Sequence, residues 1–106
     1  MNESEFNQRV DDTLLQIEEA VDETGADIDY ENVGGILTLH FPDGSQVIIN
    51  RQGAANQLWV AARSGGFHFN YDAQSGWVRD TDGSALFELL SKVCSEQAGE
   101  AVSLGG

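Results

Sequence analysis

The stretch Ile36-Leu37-Thr38-Leu39-His40-Phe41-Pro42-Asp43-Gly44-Ser45-Gln46-Val47-Ile48-Ile49-Asn50 decides the fold. Leu37, Leu39 and Phe41 alternate with Thr38 and His40, and Val47 and Ile49 alternate with Ile48 and Asn50. A period of two sends successive side chains to opposite faces of a sheet. Pro42-Asp43-Gly44-Ser45 between the two runs is a tight turn, because proline pre-sets φ at the turn entry and glycine accepts positive φ. The segment therefore predicts an antiparallel hairpin with one apolar face.

Working outward, Ile28 and Tyr30 alternate with Asp27, Asp29 and Glu31, and Asn32 to Gly35 ends that strand. Downstream, strands fit Gln57 to Ala62, Phe67 to Tyr71 after Gly65-Gly66, and Trp77 to Arg79 after Ser75-Gly76. Connections this short make the sheet antiparallel. On either flank the period changes. Phe6, Val10, Leu14, Ile17 and Val21 stack on one stripe of a helix over residues 2–23, with Asn2 and Glu5 spaced as a capping box and Gly25 where the helix stops. Leu86, Leu89, Leu90 and Val93 mark a second helix over 82–98, with Asp82 or Ser84 as cap and Gly99 beyond it. Residues 100–106 read as a loose tail. The expected fold class is α+β: one domain over 1–106, two helices packed on one face of a single antiparallel sheet of about six strands. The other sheet face is left to solvent or a partner.

A chain of 106 residues builds one core and has no room for a second. Eighteen acids against five bases give a net charge of -13, which repels nucleic acid phosphates and anionic membranes and favours cations or basic proteins as partners. Apolar content of 41% is too high for disorder. No apolar run is long enough to span a bilayer, and the acidic start Met1 to Phe6 is wrong for a targeting segment. With a lone cysteine, Cys94, and no Cys/His pairs at zinc spacing, the expectation is a soluble cytoplasmic protein.

The charge is concentrated. Residues 1–31 carry eleven acids and one base. Glu18, Glu19, Asp22 and Glu23 fill the second half of the first helix, and Asp27, Asp29 and Glu31 follow along the first strand. We expect Asp11, Asp12, Glu18, Glu19, Asp22 and Glu23 on the helix side opposite Phe6 and Ile17. The i,i+4 pairs Glu18/Asp22 and Glu19/Glu23 each cost about 0.2–0.5 kcal/mol. Anions at the helix C-terminus cost about 0.3–1 kcal/mol apiece at low salt. A solvated face that keeps a small protein soluble is the plain reading. An arrangement that opposes helix stability raises two others, a carboxylate surface for hard cations and a docking face for a basic partner. Carboxylate oxygens suit Fe, Mn, Mg and Ca, whereas soft ions want thiolate. Asp27 and Asp29, two residues apart on a strand, are separated by about 6–7 Å, so binding is expected to be weak, multisite and hydrated.

Three further segments carry a resemblance. Ile48-Ile49-Asn50-Arg51-Gln52, Asn56-Gln57-Leu58-Trp59-Val60-Ala61 and Gly65-Gly66-Phe67-His68-Phe69 resemble the sheet of the frataxin family, bacterial CyaY type. The likeness extends to Ser4-Glu5-Phe6, Gly35 to Phe41, Trp77-Val78 and Gly83 to Leu90, which is nearly the whole chain. It implies a protein of iron-sulfur cluster biogenesis that binds Fe(II) and Fe(III) weakly, other hard cations substituting, through Glu18, Glu19, Asp22, Glu23, Asp27, Asp29 and Glu31. It also implies docking on a cysteine desulfurase and its scaffold, through Glu18, Glu19 and Asp22 and the sheet positions Asn50, Gln57 and Trp59. A monomer that iron can drive into oligomers, acting as iron donor, sensor or regulator, completes that expectation; with no paired Glu-x-x-His motif to preorganise a di-iron centre, the chain is not expected to be an enzyme. One departure is Gln52-Gly53-Ala54-Ala55, where relatives often have proline, so a looser loop is expected there.

If Val47, Ile49, Leu58 and Val60 face the helices, alternation sends Asn50, Gln57, Trp59 and Ala61 to the open face. An exposed Trp59 there is either a shield lying on the sheet or an interface anchor. His68 falls on the same face as an accessory contact, His40 reads as an ordinary surface histidine, and Cys94 as a small buried hydrophobe. No serine, acid and histidine set indicates a triad. The rival from another class is an acidic protein-interaction module whose metal binding is incidental; a calcium or magnesium buffer is a third.

Overall fold

The computed structural model describes residues 1–105. Helix α1 spans Glu3–Thr24, followed by strands β1 (Asp29–Val33), β2 (Ile36–His40), β3 (Gln46–Gln52), β4 (Gln57–Ala62), β5 (Gly65–Asp72) and β6 (Gly76–Arg79), and by helix α2 (Leu86–Ala98). A short 3-10 turn, Gly53–Ala55, joins β3 to β4. The six strands form one antiparallel meander in chain order, β1 and β6 at the edges. Both helices cover one face, as the alternation and the helical stripes require.

The start of α1 is set by Asn2, whose side chain accepts a hydrogen bond from the Glu5 N–H at 2.7 Å. The helix ends where Gly25 turns left-handed at φ 68°. Phe6, Val10, Leu14, Ile17 and Val21 are buried against Leu37, Leu39, Val47, Ile49, Leu58, Val60 and Phe69. Two polar links fix the helix on the sheet. Trp77 donates its indole N–H to Thr13 Oγ1 at 2.8 Å. Arg51 on β3 reaches Asn7 at 2.9 Å and Asp11 at 2.6 Å.

Three sequence expectations are corrected. The first strand begins at Asp29, not Asp27. Ala26 donates to Thr24 Oγ1 and Ile28 to the Ala26 carbonyl, so the chain is still turning off the helix at Asp27. The second helix begins at Leu86 with Ala85 as a cap that makes no side-chain bond. Asp82 instead binds the Ser84 N–H and hydroxyl at 2.9 and 2.7 Å, a local bond that competes with helix formation.

The third concerns the tail. Residues 100–104 are not loose: Val102 and Leu104 are buried in the common core. Ser95 Oγ accepts from the Val102 N–H and Ser91 Oγ accepts from the Leu104 N–H, at 2.8 and 2.9 Å. Only two apolar side chains with no periodic context signal this in the sequence. The part of the tail expectation that falls on Gly106 lies outside the described residues.

Candidate functional site

The acidic side is built by α1 and β1, and the register divides it. Asp29 faces His40 and Glu31 faces Thr38 across β1 and β2, which places both acids on the open side of the sheet. Tyr30 and Asn32 alternate to the helix side. There the Tyr30 hydroxyl donates to Asp22 at 2.8 Å and the Asn32 amide donates to Glu18 at 3.3 Å. Those contacts hold the edge strand to the second half of α1. The bond to Asp22, together with the carboxylates beside it, raises the Tyr30 pKa.

This differs from the expected single outward helix ridge. Asp11, Glu18 and Asp22 lean toward the sheet, where Arg51, Asn32 and Tyr30 take them. Asp12, Glu19 and Glu23 point outward and are exposed, as is Asp27 at the turn; Asp11 and Asp22 stay exposed beside their partners, and Glu18 is half-buried. The reason is helical: residues 11, 18 and 22 lie at one angular position beside the buried stripe, and 12, 19 and 23 at another. Among the described residues no base comes within ion-pair distance of Glu18, Glu19, Asp22, Glu23, Asp27 or Asp29, and Glu31 meets His40 Nε2 at 3.0 Å. Gln46 Nε2 stands 3.4 Å from His40 Nδ1, so the tautomer with the proton on Nε2 serves both neighbours.

Among the described residues, no three His, Cys, Asp or Glu side chains converge closely enough to hold a metal ion. The carboxylate oxygens are the right donors for a hard cation, but they form a diffuse field of negative charge and no preformed chelate.

The open face carries the second group of residues. Asn50 faces Trp59, and Trp59 faces His68, so the three stand in one row across β3, β4 and β5. Trp59 is half-buried, not exposed. Its ring stacks on His68 with centroids 4.3 Å apart and planes 13° from parallel. Its N–H donates to Gln57 Oε1 at 2.9 Å, and Gln57 Nε2 in turn donates to Asn70 at 3.2 Å. His68 stands 3.9 Å from Asp80. The row continues in register toward Ile36 and Val33, both exposed. Acids and aromatic row thus share the open face, and three strand spacings from β1 to β4 together with the offset from Val33 to Glu31 separate Glu31 from Trp59 by about 16 Å.

Sequence reasoning missed Tyr30 and Asn32, whose alternation with the acids was the available signal. It also missed Gln97, a buried amide that accepts from the Arg63 N–H and donates to Ser45 Oγ and the Gln46 carbonyl, tying α2 to two hairpin turns. Cys94 is fully buried, and desolvation pushes its thiol pKa up to about 12. Among the described residues no helix is long and apolar enough to cross a membrane.

Comparison with known proteins agrees with this architecture. The model of the frataxin-like domain matches residues 1–100. The chain is 48% identical over 102 residues to the iron-sulfur cluster assembly protein CyaY of Vibrio vulnificus, covering 96% of this chain and 97% of that one. With the protein of the same name from Pseudomonas paraeruginosa it shares 50% identity over 107 residues, 100% and 99% of the two chains. The solved frataxin of Psychromonas ingrahamii superposes with a TM-score of 0.91 at 38% identity over the whole of both chains. From family match, identity and fold together, the chain belongs to the frataxin-like family.

Proposed function

We propose that this protein acts in iron-sulfur cluster assembly by binding, not by catalysis. Its acidic side takes up iron weakly as cargo and, with the open sheet face, docks on a cysteine desulfurase and its scaffold. The relatives' names supply the process. The observation that carries the reading is the unneutralised field of Glu18, Glu19, Asp22, Glu23, Asp27 and Asp29 on the α1–β1 side, in a stretch without a single lysine or arginine between Arg9 and Arg51. A fold needs no such field, and it opposes the helix dipole. Dispersed carboxylates keep the ion largely hydrated, which favours release over retention.

Cluster assembly with purified desulfurase and scaffold, followed with and without this protein at several iron concentrations, tests the proposal. An iron-dependent change in rate is the expected result, and no change at any concentration removes it. The second reading, an acidic interaction module, is favoured by the absence of a convergent metal set among the described residues. Desulfurase capture that survives complete chelation selects that reading; capture that requires Fe(II) selects iron sensing.

A further inference from the structure

The connection between β1 and β2 is the two-residue turn Gly34-Gly35, with φ of 62° and 81°. Val33 faces Ile36 across it. In a two-residue hairpin with both central residues at positive φ, the flanking pair exchanges both main-chain hydrogen bonds. Counting back in twos, Val33, Glu31 and Asp29 turn their N–H and C=O groups toward β2. Tyr30 and Asn32 turn theirs outward, away from the sheet. Among the described residues no loop or turn bonds those outward groups.

The other edge of the sheet is closed. Val78 on β6 bridges to Ala85, and the Arg79 N–H donates to the Ser84 carbonyl at 2.8 Å. β1 is therefore the free edge, and its flanks have one chemistry. Asp29 and Glu31 stand on its open side, while Glu18 and Asp22 stand on its helix side. An extended chain laid along β1 would meet carboxylates on both of its faces. A second copy of this protein is a poor occupant, because its own β1 would bring the same acids into opposition.

We propose that β1 accepts a basic, extended segment of a partner protein as a seventh strand. The main-chain groups of Tyr30 and Asn32 supply the pairing, and the carboxylates on either side select lysine and arginine. The inference rests on the reading of the acidic side as a docking surface and adds the manner of docking.

The test uses the full chain and two synthetic peptides of equal charge alternating lysine with threonine: one unmodified, and one N-methylated at every residue. Because carboxylates stand on both faces of β1, either alternate set of N–H groups can pair, and only their complete removal abolishes pairing. The unmodified peptide should slow exchange of the Tyr30 and Asn32 amides, and the fully N-methylated peptide should bind at least about tenfold more weakly. Equal binding by both peptides overturns strand pairing while leaving charge-driven docking intact. Binding by neither, or shifts confined to the Trp59 region, overturns the proposal outright, and desulfurase capture then judges the docking reading separately. On the protein side, Asn32→Pro removes an outward N–H that the sheet does not use, so a folded variant should lose the same preference.

Discussion

The Trp59 indole lies flat on the His68 imidazole, ring centroids 4.3 Å apart, on the sheet face away from both helices. Trp59→Ala therefore leaves no cavity in the core. It removes one stacking contact worth about 0.5–1.5 kcal/mol and the hydrogen bond to Gln57, and the loss should stay below the roughly 3–5 kcal/mol of a buried aromatic truncation. Thermal or denaturant unfolding checks this, and a loss in the larger range means the ring supports the core. If Trp59 is an interface anchor, the same variant loses about 2 kcal/mol or more of desulfurase affinity while iron-induced shifts near α1 persist.

The acids of α1 divide into two sets with different expected costs. Glu19→Gln with Glu23→Gln removes a repelling i,i+4 pair at the negative end of the helix, so stability should hold or rise by a few tenths of a kcal/mol. Glu18→Ala with Asp22→Ala removes the acceptors of Asn32 and Tyr30 and should loosen β1, seen as faster amide exchange along that strand. Iron-induced NMR shifts should weaken in both. Destabilisation by the first pair with undiminished iron response would assign Glu19 and Glu23 to the fold.

Shortening the chain after Glu100 should destabilise it by about 2–4 kcal/mol, because Val102 and Leu104 leave the core and Ser91 and Ser95 lose their main-chain partners. Leu104→Ala alone should account for about 2 kcal/mol of that. A truncated protein with an unchanged unfolding midpoint would show that the tail's docking adds nothing.

Acid stability should depend on Asp43. Hydrogen bonds from the Ser45 hydroxyl and N–H, with Arg63 at 2.7 Å, lower its pKa to about 2. A carboxylate depressed in the folded state contributes stability that is present above its unfolded pKa and is lost as pH falls through the folded one. The contribution should fade from about pH 4 toward pH 2, and Asp43→Asn should flatten the stability curve in that window. The partly exposed position of the Asp43 side chain keeps the effect small.

The sheet and both helices were legible because their side-chain periods are local properties. Leu37, Leu39, Val47 and Ile49 can be buried together only by a strand pair, and Phe6, Val10, Leu14, Ile17 and Val21 only by a helix. The concentration of acids before residue 32 was equally plain, since charge is additive along the chain. Tertiary structure decided what composition cannot: that Asp29 and Glu31 share a face with Trp59, that Glu18 and Asp22 are held by Asn32 and Tyr30, and that Val102 and Leu104 close the core. Each of these depends on strand register or on a contact between residues distant in sequence. A shift of one residue in the pairing of β1 would have sent every one of its acids to the other face.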